Sequence, residues 1–218
     1  MSSIKEISVR SKEAILAGLK KGYKDAKFSY TPSIDPVPHI KSSGDKFAEM
    51  KQKMTDNKFI VEECDEAHLE AKINEITASY GYEKLIYPSN LGLDISKINA
   101  SEKVCFDKEI ENLRQQVFHS EFSIIRARCG VSSHGVVCVL SSKEQPRMLS
   151  LAPTLCIILL QKEQVVRSMS EAFALVKKEN EVLPNNILFI AGPSRTADIE
   201  LITVFGVHGS QKVHLVLY

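Results

Sequence analysis

Two hydroxyl side chains and one guanidinium follow an apolar run near the end of the sequence, and together they could bind an anion. The run at 187–191 predicts a buried strand, and the Gly-Pro pair after it ends the strand. Residues 195–200 predict a short helix capped by Ser194 or Thr196. Such a turn would direct free backbone N–H groups, both hydroxyls and the Arg195 guanidinium at one small volume, which suits a phosphate or carboxylate. The alternative is a capped helix that binds nothing, with Arg195 paired to an acid of its own helix.

A histidine flanked by glycines follows at a short distance. Gly206 and Gly209 can adopt backbone angles that other residues avoid, and they permit close approach of a ligand. His208 lies between them, and the histidine side chain is suited to hydrogen-bonding and proton transfer. It can therefore hydrogen-bond an anion or move a proton, or it can be a structural residue bonded to the backbone. His214, in the last apolar strand, is predicted to be a packed or edge residue, and His134 to belong to a loop.

Short motifs around these residues resemble one protein family. The sequence reads Gly-Pro-Ser-Arg-Thr-Ala-Asp-Ile-Glu at 192–200, Gly-Val-His-Gly at 206–209 and Val-His-Leu at 213–215. These motifs, at this separation, resemble the LUD-domain proteins, in particular the lactate-utilisation protein C family, and the resemblance covers nearly the whole chain. It implies that His208 faces a ligand. The candidate ligand-binding residues are Gly192, Ser194, Arg195, Thr196, Asp198, Gly206, His208 and Gly209.

The resemblance also implies a fold and a role. The fold is the NagB/RpiA/CoA-transferase-like α/β type. The role is that of the non-cluster component of a bacterial system that oxidises L-lactate to pyruvate, beside partner subunits that carry iron–sulfur clusters. The alternative is a stand-alone enzyme of the sugar-phosphate isomerase or CoA-transferase-like fold, acting on a phosphorylated or carboxylate substrate. A homo-oligomer is compatible with either role.

Two positions depart from the family pattern. A family motif that runs Ala-Glu-Thr-Gly-Thr corresponds to residues 132–136, so Ser133 stands where the family has glutamate. Cys156 stands where a Leu-Pro-Pro-x-His-Ile-like motif has histidine, after a basic position matched by Arg147. In related folds an acid in the first region supports proton transfer or covalent chemistry. We therefore expect a chain that is not catalytic alone, and the sequence assigns no catalytic residue.

Composition excludes several classes of partner. The 218 residues include 28 basic and 27 acidic side chains, so a net charge of +1 gives no general field favouring nucleic acid or an anionic membrane. A hydrophobic content of 44% is enough for the core of an α/β domain. No apolar run approaches the roughly 20 residues of a membrane span, and the N-terminus lacks the apolar core of a signal peptide. We expect a cytoplasmic protein with no membrane span and no nucleic-acid partner.

The cysteines show no metal-binding pattern. Five are scattered along the chain without a Cys-x-x-Cys pair: Cys64, Cys105, Cys129, Cys138 and Cys156. This spacing disfavours disulfides, zinc and iron–sulfur clusters, and reduced cysteines in strands behave as small apolar residues. The sequence also has no Walker loop, no Gly-x-Gly-x-x-Gly after a strand and no Gly-x-Ser-x-Gly elbow. We expect no metal and no cofactor in this chain.

Alternating helix and strand patterns from residue 44 onward should position the candidate site. Helices are predicted at 45–55, 65–80, 109–117 and 170–178, and strands at 58–62, 84–87, 104–106, 136–140, 157–160 and 187–191. The repeated crossover order indicates an α/β fold with a mostly parallel sheet flanked by helices.

The first 43 residues should form a separate arm. A helix is predicted from an N-cap at Ser11 to near Asp25, and the Pro-rich segment 28–43 predicts an extended linker. The arm could cover its own domain or pack on a partner subunit. The expected division is therefore 1–43 for the N-terminal helix and Pro-rich linker and 44–218 for the LUD domain.

Overall fold

The computed structural model describes residues 4–25, 44–197 and 203–218. The helices of these residues are α1 Ile4–Asp25, α2 Lys46–Asp56, α3 Leu69–Tyr80, α4 Ile110–His119 and α5 Met169–Glu179. The strands are β1 Ile60–Glu63, β2 Lys84–Pro88, β3 Glu102–Phe106, β4 Phe122–Arg126, β5 Cys129–Val131, β6 Val136–Leu140, β7 Leu155–Leu160, β8 Val165–Val166, β9 Ile187–Ile190, β10 Arg195–Ala197, β11 Thr203–Phe205 and β12 Lys212–Leu217. Short 3-10 helices lie at Glu66–His68, Ile95–Lys97, Arg147–Ser150 and Lys162–Gln164.

The N-terminal helix is longer than the sequence predicted. The expectation of an N-cap at Ser11 is wrong, because α1 already begins at Ile4 and Ser11 lies inside it. Ile4 and Ile7 continue the apolar spacing toward the N-terminus, and this periodicity outweighs the capping preference of one serine. The predicted end near Asp25 is confirmed. The predicted linker at 28–43 lies outside the described residues. α1 belongs to a compact unit separate from that of the other elements.

A six-stranded parallel sheet forms the centre of the main unit. Its strand order is β1-β12-β7-β4-β2-β3, and every neighbouring pair is parallel. All six residues of β7, Leu-Cys-Ile-Ile-Leu-Leu, are buried, as expected for an inner strand covered on both faces. The predicted fold class, α/β with a mostly parallel sheet flanked by helices, is confirmed.

A second sheet, mostly antiparallel, lies beside the first. Its order is β8-β5-β6-β9, and β6 pairs antiparallel with both β5 and β9. The tight turn at 132–135 imposes this direction, because Gly135 adopts a left-handed φ of 61° that closes a hairpin between β5 and β6. The apolar run of β9 therefore joins an antiparallel sheet, and it is half-buried at the edge instead of fully buried as predicted.

The three hydrophobic clusters follow the faces of the two sheets. One face of the parallel sheet packs against α2, α4 and the second sheet, and the cluster includes Met50, Met54, Val117 and Ile158. The other face packs against α3. α5 covers the far face of the second sheet. Layers on both sides of a parallel sheet account for its continuous apolar strands.

Two glycines let the end of α2 approach the second sheet and the segment after β9. A Cβ at Gly192 would lie 2.2 Å from the carbonyl oxygen of Asn57, and one at Gly135 would lie 2.5 Å from Cβ of Lys53. Lys53 Nζ also donates to the carbonyl oxygen of Ser133 at 2.7 Å. The C-terminal end of α2 therefore holds both the β5–β6 hairpin and the start of the predicted anion loop.

Candidate functional site

The prediction of a helix at 195–200 is wrong for residues 195–197, the part of it that the structure describes. Arg195–Ala197 is the strand β10, which pairs antiparallel with β11, Thr203–Phe205. The β-branched and aromatic residues of β11 favour a strand and offer a pairing partner that local capping rules do not consider. The loop after β9 therefore presents a β-ribbon, and no helix N-terminus lies at Arg195.

The two sequence motifs nevertheless meet in space. The backbone N–H of Ser194 donates to the carbonyl oxygen of Ser210 at 3.0 Å, and that of Gly206 donates to the carbonyl oxygen of Ser194 at 2.9 Å. A Cβ at Gly209 would lie 3.1 Å from Cβ of Ser194, so only a glycine fits this contact without displacement. The chain after β11 thus folds back onto the chain after β9, and the N–H of Ser194, one of those expected to face an anion, bonds to the backbone.

A cavity of about 280 Å³ lies beside this contact, between β9 and the amino ends of β7 and β12. Its wall combines apolar side chains with three serines. The lining residues are Ser150, Leu151, Cys156, Leu188, Phe189, Ile190, Ala191, Gly192, Ser194, Gly209, Ser210 and Val213. Three of the predicted ligand-binding residues, Gly192, Ser194 and Gly209, are therefore part of one concave site.

The three serines differ in what they can offer a ligand. Ser150 Oγ donates to the carbonyl oxygen of Arg147 at 2.8 Å, and Ser210 Oγ donates to that of Pro153 at 2.8 Å. Their oxygen atoms can still accept a hydrogen bond. The hydroxyl of Ser194 makes no hydrogen bond within the described residues, so it keeps a donor for a ligand.

The thiol of Cys156 is a buried polar group in the wall of the cavity. Burial raises the pKa of this thiol to about 12, so it is protonated at neutral pH. A protonated, buried thiol is neither a nucleophile nor a metal ligand. The other lining side chains carry no carboxylate, amine or imidazole. This cavity is therefore suited to binding rather than to acid–base chemistry.

Arg195 stands next to the cavity without lining it. Its side chain is exposed, and its Nη2 donates to the carbonyl oxygen of Ala191, a lining residue, at 3.3 Å. Thr196 is half-buried in β10. His208 is exposed and does not line the cavity. Asp198, also predicted to bind the ligand, lies outside the described residues.

Gly206 has a structural reason to be glycine. Its φ is 77°, and a Cβ on it would lie 1.9 Å from Cγ of Gln211. The side chain of Gln211 therefore packs directly against this turn. The glycine allows the segment 206–209 to fold back closely on the chain, and this brings Gly209 and Ser210 to the cavity.

The region where the family pattern has a glutamate lies away from the cavity. Ser133 is buried, its hydroxyl is 2.8 Å from Nδ1 of His134, and neither residue lines the site. Lys53, which bonds to the Ser133 carbonyl oxygen, also pairs with Glu49 at 2.7 Å. These contacts attach α2 to the hairpin. Ser133, which stands where the family pattern has glutamate, therefore takes part in packing between α2 and the hairpin.

Sequence reasoning missed three of the polar lining residues as site residues, namely Ser150, Cys156 and Ser210. Cys156 was singled out only as a departure from a family motif. Ser210 directly follows the Gly-Val-His-Gly motif, and this adjacency was the available signal. Ser150 begins a short Ser-Leu-Ala-Pro segment that has no chemical signature by itself.

The described residues, 4–25, 44–197 and 203–218, offer neither a candidate metal centre nor a membrane-spanning helix. In these parts of the chain, no group of three or more His, Cys, Asp or Glu side chains is placed to hold a metal ion. None of the helices described above is both long and apolar enough to cross a membrane.

Comparison with known proteins identifies relatives. The sequence model of one family, the LUD domain, matches residues 47–218. Lactate utilization protein C of Bacillus licheniformis is 36% identical over 109 residues, covering 49% of this chain and 44% of that protein. The uncharacterized protein YkgG of Escherichia coli is 36% identical over 114 residues, covering 50% of this chain and 49% of that protein. The matched segment thus spans about half the length of these curated relatives.

A solved structure supports the fold. The crystal structure of a DUF162 family protein from Deinococcus radiodurans superposes with a TM-score of 0.55, covering 79% of this chain and 95% of that one. The two sequences are 15% identical, so this similarity concerns the fold alone.

Proposed function

The chain belongs to the LUD domain family, and from that membership we propose that it is the non-cluster component of a lactate-utilisation system. Relatives that carry the name lactate utilization protein C support this role. In this role the chain binds a small carboxylate such as lactate in the cavity beside Ser194 and Gly209. Partner subunits with iron–sulfur clusters carry the electrons.

The observation that carries the proposal is the meeting of the two motifs at one cavity. Residues from the first motif, Gly192 and Ser194, and one from the second, Gly209, line it together. A cavity with apolar walls and a few polar groups at chosen places is the usual form of a small-molecule site. The guanidinium of Arg195 next to the Ala191 wall supplies the charge that a carboxylate needs.

The division of labour with a partner follows from the chain's own residues. Oxidation of lactate needs an electron acceptor, which a cofactor normally provides. The sequence has neither a Cys-x-x-Cys pair nor a dinucleotide-binding fingerprint. The alternative of a stand-alone enzyme gains no support from the cavity, because its lining offers no acid or base. We therefore place the redox centre on another subunit.

Deletion of the gene is expected to abolish growth of its native host on L-lactate as the carbon source. Wild-type protein should restore growth. The double variant Arg195→Ala, His208→Ala should restore it poorly, because each of the two motifs loses its one basic side chain. Growth rate on lactate, compared with growth on glucose, is the measurement. The purified chain should not reduce a redox dye with lactate.

A matched variant controls for general damage. Arg114→Ala, His119→Ala changes one exposed arginine and one exposed histidine on α4 and should complement like wild type. Normal growth of the deletion strain on lactate would reject the pathway assignment. Dye reduction by the isolated chain would instead favour the stand-alone enzyme.

A further inference from the structure

We propose that the cavity accepts an aliphatic monocarboxylic acid whose side chain is longer than the methyl group of lactate. Its carboxylate would lie at Arg195 and its tail between β9 and the parallel sheet. This proposal rests on the proposed function, because it specifies the ligand of the same site.

The walls of the cavity fit a hydrocarbon tail. Leu188 and Ile190 of β9 line one side, and Leu151 and Val213 line it from other segments. Leu188 and Ile190 also pack against the cluster between the sheets, so the cavity opens onto apolar core. Burying a methylene group against such a wall is favourable, since apolar surface leaves water.

The volume exceeds the needs of lactate. A space of about 280 Å³ corresponds to roughly nine water molecules at their volume in the liquid. Lactate has only about six non-hydrogen atoms of comparable size, so about a third of the space would remain for water. A ligand with two or three more carbon atoms would fill it.

Donors for the carboxylate lie at or beside the wall formed by β9 and the following loop. The backbone N–H of Ser141 donates to the carbonyl oxygen of Asn186, so these two residues form a hydrogen-bonded pair. Hydrogen-bonded and non-hydrogen-bonded pairs then alternate along β6 and β9, and Phe189 belongs to a non-hydrogen-bonded pair. By this alternation the N–H of Phe189 points to the open edge of β9, away from β6. The Ser194 hydroxyl is uncommitted within the described residues, and Arg195 pairs with none of the carboxylates described there. A guanidinium, a hydroxyl and an N–H are the donors a carboxylate accepts.

The charges fix the orientation of the ligand. No cationic side chain lines the cavity, so a carboxylate placed deep inside would lose its hydration without a compensating partner. At Arg195 the same carboxylate keeps contact with water and gains a cation. The tail therefore enters the cavity, and the charged group stays at the exposed guanidinium.

Calorimetric titration of the full chain with a series of 2-hydroxy acids tests this inference. The series runs from L-lactate through 2-hydroxybutyrate to 2-hydroxyvalerate. We expect each added methylene to raise the affinity about fourfold, the equivalent of about 0.8 kcal/mol per buried CH₂. Arg195→Gln should weaken all three acids by a similar factor of about tenfold or more, because each loses the same charged hydrogen bond.

Two leucine-to-tryptophan substitutions test whether the hydrocarbon tail binds in the cavity. Leu151→Trp enlarges a side chain that lines the cavity and is 37% exposed, so it should fill the space and remove the gain with chain length. Leu183→Trp, at an exposed position outside the cavity, should leave the gain intact. Arg114→Gln is the matched control for Arg195 and should bind like wild type.

The outcomes separate the two proposals. If lactate binds and the two longer acids bind with the same affinity, the proposal of a longer-chain ligand is overturned and the proposed function stands. A chain-length gain that survives in Leu151→Trp would also overturn it, since the tail would then bind elsewhere. No binding of any of the acids by the wild-type chain would overturn both.

Discussion

Gly135→Ala is expected to lower the free energy of unfolding by about 2–5 kcal/mol. A left-handed backbone at a residue other than glycine costs about 1–2 kcal/mol, and Gly135 has a φ of 61°. The added Cβ would also lie 2.7 Å from the carbonyl carbon of Lys53 and 2.8 Å from the nitrogen of Met54. Because these are backbone atoms of α2, the overlap adds about 1–3 kcal/mol. Urea unfolding followed by circular dichroism measures the change.

Gly81→Ala is the matched control for this prediction. Gly81 caps α3 with a similar φ of 67°, but a Cβ there would meet no atom within 4 Å. Its substitution should cost only the backbone strain, about 1–2 kcal/mol. Equal losses for the two variants would show that α2 does not press on the hairpin, and the packing described here would then be wrong.

Lowering the pH from 6.5 to 4 is expected to remove up to about 3 kcal/mol of stability through His214. Burial, with a smaller effect from Lys212, lowers the pKa of His214 from 6.5 to about 4 in the folded chain. Between these values the unfolded chain binds a proton that the folded chain does not, so stability is fully present above 6.5 and falls as the pH falls. Unfolding midpoints in urea across this range measure the effect.

The surroundings of His214 explain why it stays neutral. The side chain is 4% exposed, and its Nε2 lies 2.8 Å from the hydroxyl of Tyr80. Its Nδ1 has no hydrogen-bond partner in the described structure, and the nearest carboxylate oxygen, of Glu62, is 3.9 Å away. Protonation would thus place a charge on a buried ring that has no carboxylate within hydrogen-bond distance. The sequence predicted that His214 is a packed or an edge residue, and the first of these is confirmed.

His214→Gln should remove most of the pH dependence between 4 and 6.5, because glutamine does not titrate and can still bond to Tyr80. His119→Gln, which changes an exposed histidine on α4, should keep it. An unchanged pH profile in His214→Gln would assign the acid sensitivity to other groups and contradict the low pKa of His214.

The sequence predicted those helices and strands whose structure follows from their own residue pattern. α3 combines a regular apolar face with a left-handed glycine at its end, and β7 is a continuous apolar run of the length typical of a buried strand. β9 is equally apolar, yet its direction depends on the hairpin at 132–135, which turns β6 to receive it. A short apolar run carries no information about its partner, so the second sheet could not be predicted.

The candidate site was predictable only in part for a similar reason. The motifs that contain Ser194 and Gly209 were visible as short patterns, and the structure brings them together. The conformation of Arg195 depends on pairing between β10 and β11, a contact that capping rules do not include. Ser150 and Ser210 reach the cavity through long-range packing, and a lone serine gives no signal of its role.

The most direct test of the central claim is a crystal structure of the protein with L-lactate at saturating concentration. The account predicts lactate in the cavity beside Ser194 and Gly209, with its carboxylate hydrogen-bonded to Arg195 and its methyl group toward Leu188 and Val213. An empty cavity under these conditions would contradict the account. Lactate bound only in the groove lined by Lys108 and Lys143 at the opposite, carboxyl end of the parallel sheet would contradict it as well.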